Sequence, residues 1–390
     1  MTGHVSVARS FTLDVPESVL VDLRERLQRV RWPDEPPHGS PWQFGTDLRY
    51  LQELVSYWRD DFDWSAQQAR LNEFPQYTAP VAGIDLHFLH VPGVGPQPMP
   101  LLLSHGWPGS IWEFHKIIPM LTDPARFGGD AADAFTVVAP SLPGYTLSFR
   151  PGQPRFGVPD IGRAFTDLMR DVLGYQRFAA QGGDWGSFIS AYLGFTEPQH
   201  VVGIHLNLMP LRREPPSTQA SPDDAELAAY RAELEHWLRE ETGYSTIQAT
   251  KPQTLAYALT DSPVGLAAWI VEKFRTWSDC DGDVERSFSR DDLLTNIMLY
   301  WVSGAIGSSF WPYYSRQHDG WPLPAGGQRV EVPTAYQSFP KDILHPPRSL
   351  AERAFNIQRW TVSPTGGHFA ALEQPERLAE DVRAFFRDLR

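Results

Sequence analysis

Cysteine is almost absent from this chain, which has a single cysteine, Cys280, among 390 residues. One cysteine excludes an internal disulfide and is typical of a reducing compartment, so we expect Cys280 to be an ordinary buried hydrophobic residue. The sequence also lacks an apolar run of about 18 residues, which a membrane-spanning helix needs. Its first residues lack a basic start followed by an apolar stretch, so we predict a cytoplasmic protein without signal peptide or membrane partner.

Positive charge is scarce as well, since 34 lysines and arginines stand against 47 aspartates and glutamates and give a net charge of −13. This balance argues against nucleic acid or an anionic membrane surface as a partner, because both repel an acidic protein. Hydrophobic residues make up 42% and charged residues 21%, which is typical of a globular protein. At this length the chain has room for a large core domain and a second domain.

Hydrophobic periodicity divides the chain into three regions. Residues 1–80 have amphipathic helical spacing, which predicts an N-terminal helical meander that packs on the core. Residues 81–208 and 326–390 alternate short apolar strands with helices, which predicts an α/β core with a mostly parallel sheet between two layers of helices. Residues 209–325 have few strand signals and are predicted to be an inserted helical cap. Its long helical patterns cover residues 223–241, 254–274 and 290–306.

A carboxylate among glycines is the most informative motif. Residues 182–186 read Gly-Gly-Asp-Trp-Gly between an apolar strand and a helical segment. This is the context of the nucleophile elbow of an α/β-hydrolase, where the turn is too tight for neighbouring Cβ atoms. The nucleophile position holds Asp184 rather than serine. A carboxylate can displace at a saturated carbon and leave an alkyl ester that water cleaves, so the motif predicts opening of an epoxide or expulsion of a halide.

A base and an orienting acid follow the nucleophile in the expected chain order. His368 lies in Gly-Gly-His-Phe after the last predicted strand, the position of the base that activates water. Asp342, beyond the strand that ends near Tyr336, is the candidate acid that orients the histidine and stabilises its imidazolium. Some related enzymes take this acid from the end of the preceding strand. Residues 207–209 hold no carboxylate there, which favours Asp342.

The remaining roles are an oxyanion hole and a proton donor. The backbone N–H groups of Trp107 and Trp185 are candidates for the oxyanion hole, and we expect the His105 side chain to brace the turn before Trp107. Tyrosine suits the protonation of an epoxide oxygen, because it is protonated at neutral pH. No step of this chemistry needs a metal or cofactor. The cap tyrosines that could donate are Tyr230, Tyr244, Tyr257, Tyr300, Tyr313 and Tyr314.

These motifs together resemble the epoxide hydrolases of the microsomal type, including the N-terminal domain of that family. The resemblance covers nearly the whole chain and implies an α/β-hydrolase fold with a cap and a small-molecule epoxide as substrate. It implies Asp184 as nucleophile, His368 as base and Asp342 as acid, a position where some members carry glutamate. The motifs that carry it lie at residues 50–64, 105–110, 182–187, 261–266 and 366–371.

The resemblance also selects the tyrosines. One cap donor of the family lies in the Gly-Tyr before a Thr-Lys-Pro stretch, which is Tyr244 here. The other follows a Ser-Ser pair, and the spacing from Ser309 favours Tyr313. Trp311 stands where a basic residue is usual, so Tyr314 stays open as the alternative. The membrane anchor of the family is missing, so we expect a soluble bacterial member.

We therefore predict an epoxide hydrolase that forms a vicinal diol through a covalent ester on Asp184. The alternative is a haloalkane dehalogenase with the same machinery, whereas a non-catalytic binder is disfavoured because nucleophile, base and acid are all present. The aromatic-rich cap favours a bulky or aryl, styrene-oxide-like epoxide. The predicted role is detoxification or natural-product biosynthesis, for example of an enediyne antibiotic, and a homodimer stays open.

Overall fold

One mixed sheet forms the centre of the computed structural model, which describes residues 7–211, 225–320 and 328–390. The strands of the described residues lie in the order β1-β2-β3-β5-β4-β6-β7-β8-β9. Strands β1 to β3 are antiparallel to their neighbours, whereas β5, β4 and β6 to β9 run parallel. The strands are β1 (Arg9–Phe11), β2 (Gln76–Val81), β3 (Ile84–Val91), β4 (Met99–Ser104), β5 (Phe135–Pro140), β6 (Phe178–Gly182), β7 (Val201–Leu206), β8 (Val330–Ser338) and β9 (Phe355–Val362).

Helices cover the sheet and form the cap, as the alternating pattern predicts for an α/β-hydrolase fold. The α-helices of the described ranges are α1 (Glu17–Gln28), α2 (Leu48–Asp60), α3 (Trp64–Asn72), α4 (Ile117–Thr122), α5 (Val158–Asp167), α6 (Asp184–Thr196), α7 (Ala225–Glu240), α8 (Gly243–Thr250), α9 (Pro252–Asp261), α10 (Pro263–Thr276), α11 (Arg290–Ser303), α12 (Trp311–His318), α13 (Arg348–Ala351), α14 (Ala370–Glu373) and α15 (Pro375–Phe386).

The parallel strands bring the sequence motifs to one edge of the sheet. Ser104 at the end of β4 pairs in register with Gly182 at the end of β6, and Ser338 at the end of β8 pairs with Val362 at the end of β9. The turns that follow these four strands therefore meet, since the carboxyl ends of parallel strands share an edge. This edge is where the candidate site lies.

The N-terminal region is less purely helical than its sequence predicts. Helices α1 and α2 bury their apolar faces as expected, but β1 and β2 add two strands to the sheet. Strand β1 has three partly or fully exposed residues, too few for an alternating pattern to stand out. Strand β2 spans residues 76–81, across the position at which the core is predicted to begin.

Contacts join the N-terminal region to the cap. The Arg26 guanidinium lies 2.9 Å from the Asp261 carboxylate, and the Tyr57 hydroxyl donates to Asp291 at 2.9 Å. The Thr46 hydroxyl donates to a backbone carbonyl of α10 at 2.7 Å. These contacts hold the cap helices α9, α10 and α11 against the N-terminal region, which is itself joined to the sheet through β1 and β2.

The cap contains a break that the sequence pattern conceals. Its periodicity predicts one helix over residues 254–274, which is wrong, because the chain turns by 115° between α9 and α10. Pro263 cannot donate an N–H to continue α9, and the Ser262 hydroxyl caps α10 by accepting from the N–H of Gly265 at 3.0 Å. The predicted helix start at residues 223–224 and the cap–core boundary at 325/326 lie outside the described residues.

Over the described ranges, no helix has on its own the length and apolar character for a membrane span; α9 and α10 satisfy that test only as a sharply bent pair. Cys280 is buried, as its prediction as a small hydrophobic residue requires.

Candidate active site

The elbow after β6 holds Asp184 in a conformation that depends on its glycine neighbours. Asp184 has a φ of +43°, in the left-handed region that non-glycine residues rarely adopt. A Cβ atom on Gly182 would lie 2.2 Å from the backbone of Gly186, and one on Gly186 would lie 1.8 Å from the Ser104 carbonyl oxygen. Only glycine fits at these two positions, so the turn presents the Asp184 carboxylate above the edge of the sheet.

The two oxygens of the Asp184 carboxylate have different partners. Its Oδ1 accepts the N–H of Trp107 at 2.8 Å, and its Oδ2 lies 3.4 Å from Nε2 of His368. Burial by itself raises the pKa of Asp184. The hydrogen bond and charge of His368 and the backbone N–H groups of Trp107 and Trp185 reverse that effect, so the pKa is lowered overall. The carboxylate is therefore ionised and positioned by donors on both sides.

His368 lies between two carboxylates. Its Nδ1 is 2.6 Å from Oδ1 of Asp342, and that same oxygen accepts the N–H of Ile343 at 2.7 Å. Burial lowers the pKa of His368, but the charge of Asp342 and the contact with Asp184 raise it to about 10. The backbone N–H of His368 donates to the Trp277 carbonyl at 2.8 Å. Asp184, His368 and Asp342 thus form one connected chain, each less than a tenth exposed.

The turn after β4 supplies the first of the predicted backbone donors. His105 braces this turn as predicted: its Nδ1 bonds to the Gly106 carbonyl at 3.0 Å, and its Nε2 accepts the N–H of Leu142 at 3.2 Å. A Cβ atom on Gly106 would lie 2.1 Å from Oδ1 of Asp184, so the backbone of this turn passes directly against the carboxylate. That close approach brings the N–H of Trp107 to Asp184.

Two cap tyrosines face the elbow, and both are buried. The ring of Tyr244 stacks on Trp107 at 5.2 Å between centroids, and the ring of Tyr313 meets Trp185 edge-on at 4.7 Å. The two tyrosine rings are 5.8 Å apart. Burial, with the nearby Tyr244 and Asp184, raises the pKa of Tyr313 well above its ordinary value, so its hydroxyl is protonated at neutral pH.

The other cap tyrosines have different surroundings. The ring of Tyr314 stacks between Trp311 and His318, at centroid distances of 4.6 and 3.9 Å. The hydroxyls of Tyr230 and Tyr300 donate to backbone carbonyls, and Tyr257 is 72% exposed. The geometry therefore places Tyr244 and Tyr313, and not Tyr314, among the indole rings beside Asp184.

Sequence reasoning missed Glu113, which follows the turn that carries Trp107. Burial raises the pKa of Glu113 to about 8; His368 opposes that rise and the charge of Asp184 adds to it. The carboxyl lies where a Cβ on Gly109 would be, and it accepts the N–H of Ser110. Nothing in the local sequence marks this glutamate, because its burial arises from the way the turn folds back over Gly109. Across residues 7–211, 225–320 and 328–390, no three His, Cys, Asp or Glu side chains gather as metal ligands.

Two family models match the chain and together span most of its length. One described as "Epoxide hydrolase N terminus" matches residues 8–114, and one described as "alpha/beta hydrolase fold" matches residues 99–375. Epoxide hydrolase 1 of Oryctolagus cuniculus is 39% identical over 402 residues, which cover 97% of this chain and 88% of the relative.

Solved structures agree with these matches. The juvenile hormone epoxide hydrolase of Bombyx mori superposes with a TM-score of 0.85 at 29% identity and covers 98% of this chain and 95% of its own. The epoxide hydrolase of Aspergillus niger superposes with a TM-score of 0.84 at 31% identity and covers 98% and 96%. The likeness extends over the sheet, the cap and the N-terminal region together.

Proposed function

The chain belongs to the epoxide hydrolases of the α/β-hydrolase superfamily, and from this premise we propose that it opens an epoxide through a covalent ester on Asp184. The observation that carries the proposal is the position of the Asp184 carboxylate. One of its oxygens is held by a backbone N–H and the other faces His368, with two tyrosine rings across from them. In this proposal the core (residues 81–208 and 326–390) supplies nucleophile, base and acid. The cap (209–325) supplies the tyrosines and the N-terminal region (1–80) supports the cap.

In the first half-reaction Asp184 attacks a ring carbon of the epoxide. We assign the attack to Oδ2, because Oδ1 is already held by the N–H of Trp107. The C–O bond of the ring breaks as the new C–O bond forms. Both tyrosine hydroxyls donate hydrogen bonds to the ring oxygen, and the developing alkoxide takes one proton, from Tyr244, which becomes a phenolate. A donor that is protonated at neutral pH and positioned at the oxygen lowers the barrier of this step.

In the second half-reaction water cleaves the ester. Ester formation removes the charge of Asp184, which is one of the causes that raise the pKa of His368. His368 can then give up its proton, which returns the Tyr244 phenolate to a phenol, and become a base. His368, oriented by Asp342, then takes a proton from water as the oxygen attacks the ester carbonyl. Oδ1 carries the developing negative charge, and the N–H groups of Trp107 and Trp185 stabilise it. Collapse of this intermediate breaks the ester C–O bond, and the proton of the added hydroxyl passes to the leaving alkoxide. The diol is released, and the carboxylate of Asp184 and the protonated His368 are restored.

We propose a bulky or aryl epoxide as the substrate class. The side chains that surround the two tyrosines are aromatic, with Phe310 at 6.4 Å from Trp107 and Trp277 at 5.3 Å from Tyr244 between ring centroids. Such rings favour an apolar or aryl substituent through burial and ring contacts. The range of epoxides that the enzyme accepts would distinguish its two proposed roles. Detoxification requires turnover of many aryl and alkyl epoxides, whereas natural-product biosynthesis requires turnover of only a few.

The test is intact-protein mass spectrometry of His368→Gln exposed to styrene oxide. The variant can still form the ester but lacks the base, so we expect a mass increase equal to one styrene oxide, mapped to Asp184 by peptide analysis. The wild-type protein should release the diol, and Asp184→Asn should give neither diol nor adduct. Diol formation by Asp184→Asn at the wild-type rate, without deamidation to aspartate, would refute the nucleophile assignment.

The chain offers a matched control for the histidine variant. His205 is also buried against a carboxylate, 3.0 Å from Asp381, but it lies on β7 and away from the elbow. His205→Gln removes the same type of pair, so it should accumulate no ester if it folds. Ester in both variants would mean that trapping does not report on the base.

The alternative function is that of a haloalkane dehalogenase, and one observation supports it. The indole Nε1 of Trp107 is buried and has no hydrogen-bond partner among the described residues, and such a group could stabilise a halide. His368→Gln should therefore also be exposed to a matched aryl-alkyl halide. An adduct from the halide and none from the epoxide would show that the same residues catalyse dehalogenation instead.

A further inference from the structure

A buried lysine lies over the ring of Tyr244, one of the two cap tyrosines of the site. Lys273 lies near the end of α10, and its side chain is 8% exposed. Lysine is almost never this buried without a reason, because removing an ammonium group from water is costly. Two carboxylates compensate part of that cost, with Oε2 of Glu272 at 2.6 Å and Oε2 of Glu241 at 3.5 Å from Nζ.

The same ammonium group faces two aromatic rings of the site. Nζ lies 4.9 Å from the ring centroid of Tyr244 and 5.5 Å from that of Trp277. These are cation–π distances, and such contacts are strongest where water is excluded. The ring of Tyr244 stacks in turn on Trp107, so one ring separates the lysine from the turn that holds Asp184.

The position of the cation suits the charge that develops on Tyr244. When Tyr244 gives its proton toward the epoxide oxygen, negative charge grows on the phenol, and a fixed positive charge over the ring stabilises it. Lys273, Glu241 and Glu272 line a cavity of about 740 Å³ that is enclosed by the N-terminal region, the cap and Lys341. The other charged residues that line it are Glu240, Arg275, Asp281 and Lys341. These four carry two charges of each sign, so as a group they add no net charge beside Lys273.

We propose that Lys273 is a positioning residue of the epoxide-opening step, which strengthens Tyr244 as a donor by holding a positive charge over its ring. The inference rests on the proposed function and adds a residue to it. The sequence places Lys273 inside a helical pattern with no motif around it, and only the fold brings its ammonium group to Tyr244.

The experiment isolates ester formation from ester hydrolysis. In the His368→Gln parent, the growth of the styrene oxide adduct with time gives the rate of alkylation alone. We expect Lys273→Met, which keeps the length of the side chain and removes the charge, to slow this rate about tenfold or more. Lys273→Arg keeps the charge and should recover most of the rate. In the wild-type background the loss should appear in kcat/KM, which reports the alkylation step, because ester hydrolysis follows it.

A double-mutant cycle separates this role from simple packing. Lys273→Met should slow alkylation when Tyr244 is present and have little further effect when Tyr244 is already phenylalanine. An equal slowing in both backgrounds, or no slowing in either, would overturn the proposal. Absence of any adduct in the His368→Gln parent would instead overturn the proposed function itself.

A second variant keeps the proposal falsifiable if Lys273→Met does not fold. Glu272→Gln removes the carboxylate nearest to the ammonium group and leaves the positive charge less compensated. If the lysine acts through its field on Tyr244, alkylation becomes faster. If Glu272 only holds the Lys273 side chain in its packed position, Glu272→Gln slows alkylation, and that result would overturn the proposal.

Discussion

Glu113→Gln is expected to make the protein more stable at neutral pH, because this glutamate is held in a site that disfavours its charge. The carboxyl lies over Gly109, accepts the N–H of Ser110 and feels the negative charge of Asp184. A glutamine side chain has the same shape and can accept the same hydrogen bond through its carbonyl oxygen. The substitution therefore removes the ionisation and little else.

The magnitude follows from the pKa of Glu113, which rises from 4.5 to about 8 on folding. The folded state binds the proton more tightly than the unfolded state, so this group's contribution to stability is complete below pH 4.5 and is lost as the pH rises to 8. Each pH unit corresponds to about 1.4 kcal/mol, so the loss at pH 7 is about 3 kcal/mol as an upper bound. Glutamine has no such loss.

The assay is urea unfolding of the wild type and Glu113→Gln at several pH values between 5 and 8. We expect the difference in unfolding free energy to grow in favour of the variant by up to about 3 kcal/mol as the pH rises to 7. Because Glu113 is uncharged at neutral pH, diol formation at pH 7 should be largely retained. A difference that stays constant with pH would refute the reasoning, since the glutamate would then have an ordinary pKa.

Three other substitutions have expected outcomes. Tyr313→Phe should slow adduct formation about 100-fold in a single-turnover assay, whereas Tyr314→Phe, the adjacent matched control, should change it little; the reverse order would exchange their roles. Asp342→Asn should lower the rate of ester hydrolysis about 1,000-fold and accumulate ester by mass spectrometry, because the amide cannot orient and stabilise the imidazolium. Glu233→Gln removes the partner that, against the lowering effect of burial, raises the pKa of His345 to about 9. The variant should therefore have a lower melting temperature below pH 6.5, and this deficit should shrink as the pH rises from 6.5 to 9 and vanish above pH 9, where wild-type His345 is neutral; a constant deficit would contradict it.

The core of the fold could be predicted from local pattern because its strands are short apolar runs between turn residues. Strands β3 to β9 all lie within the two ranges predicted to form the α/β core, residues 81–208 and 326–390. The N-terminal strands could not be predicted in this way. Strand β1 is a three-residue edge strand, and its Ser10 pairs with Tyr77 of β2, 67 positions later in the chain. The bend at Ser262 and Pro263 also escapes it, because the apolar period continues on both sides of the break.

The candidate site divides in the same way. Asp184 and His368 sit in turns whose glycines mark them, so their neighbourhood could be predicted. The choice between Tyr313 and Tyr314 could not, because adjacent residues on a helix point about 100° apart and only the packing of α12 decides which one faces Trp185. Glu113 and Lys273 are ordinary surface residue types in the sequence, and their burial is a property of the assembled fold.

The contacts of the N-terminal region with the cap have a consequence for how such a chain can be recombined. Arg26, Thr46 and Tyr57 each bond to the cap helices, and the cap in turn carries Tyr244 and Tyr313. A cap exchanged with that of a relative would arrive without its own N-terminal partners and would meet side chains shaped for another surface. The exchangeable module is therefore the cap together with its bonding partners, which lie 222 to 235 positions earlier in the chain.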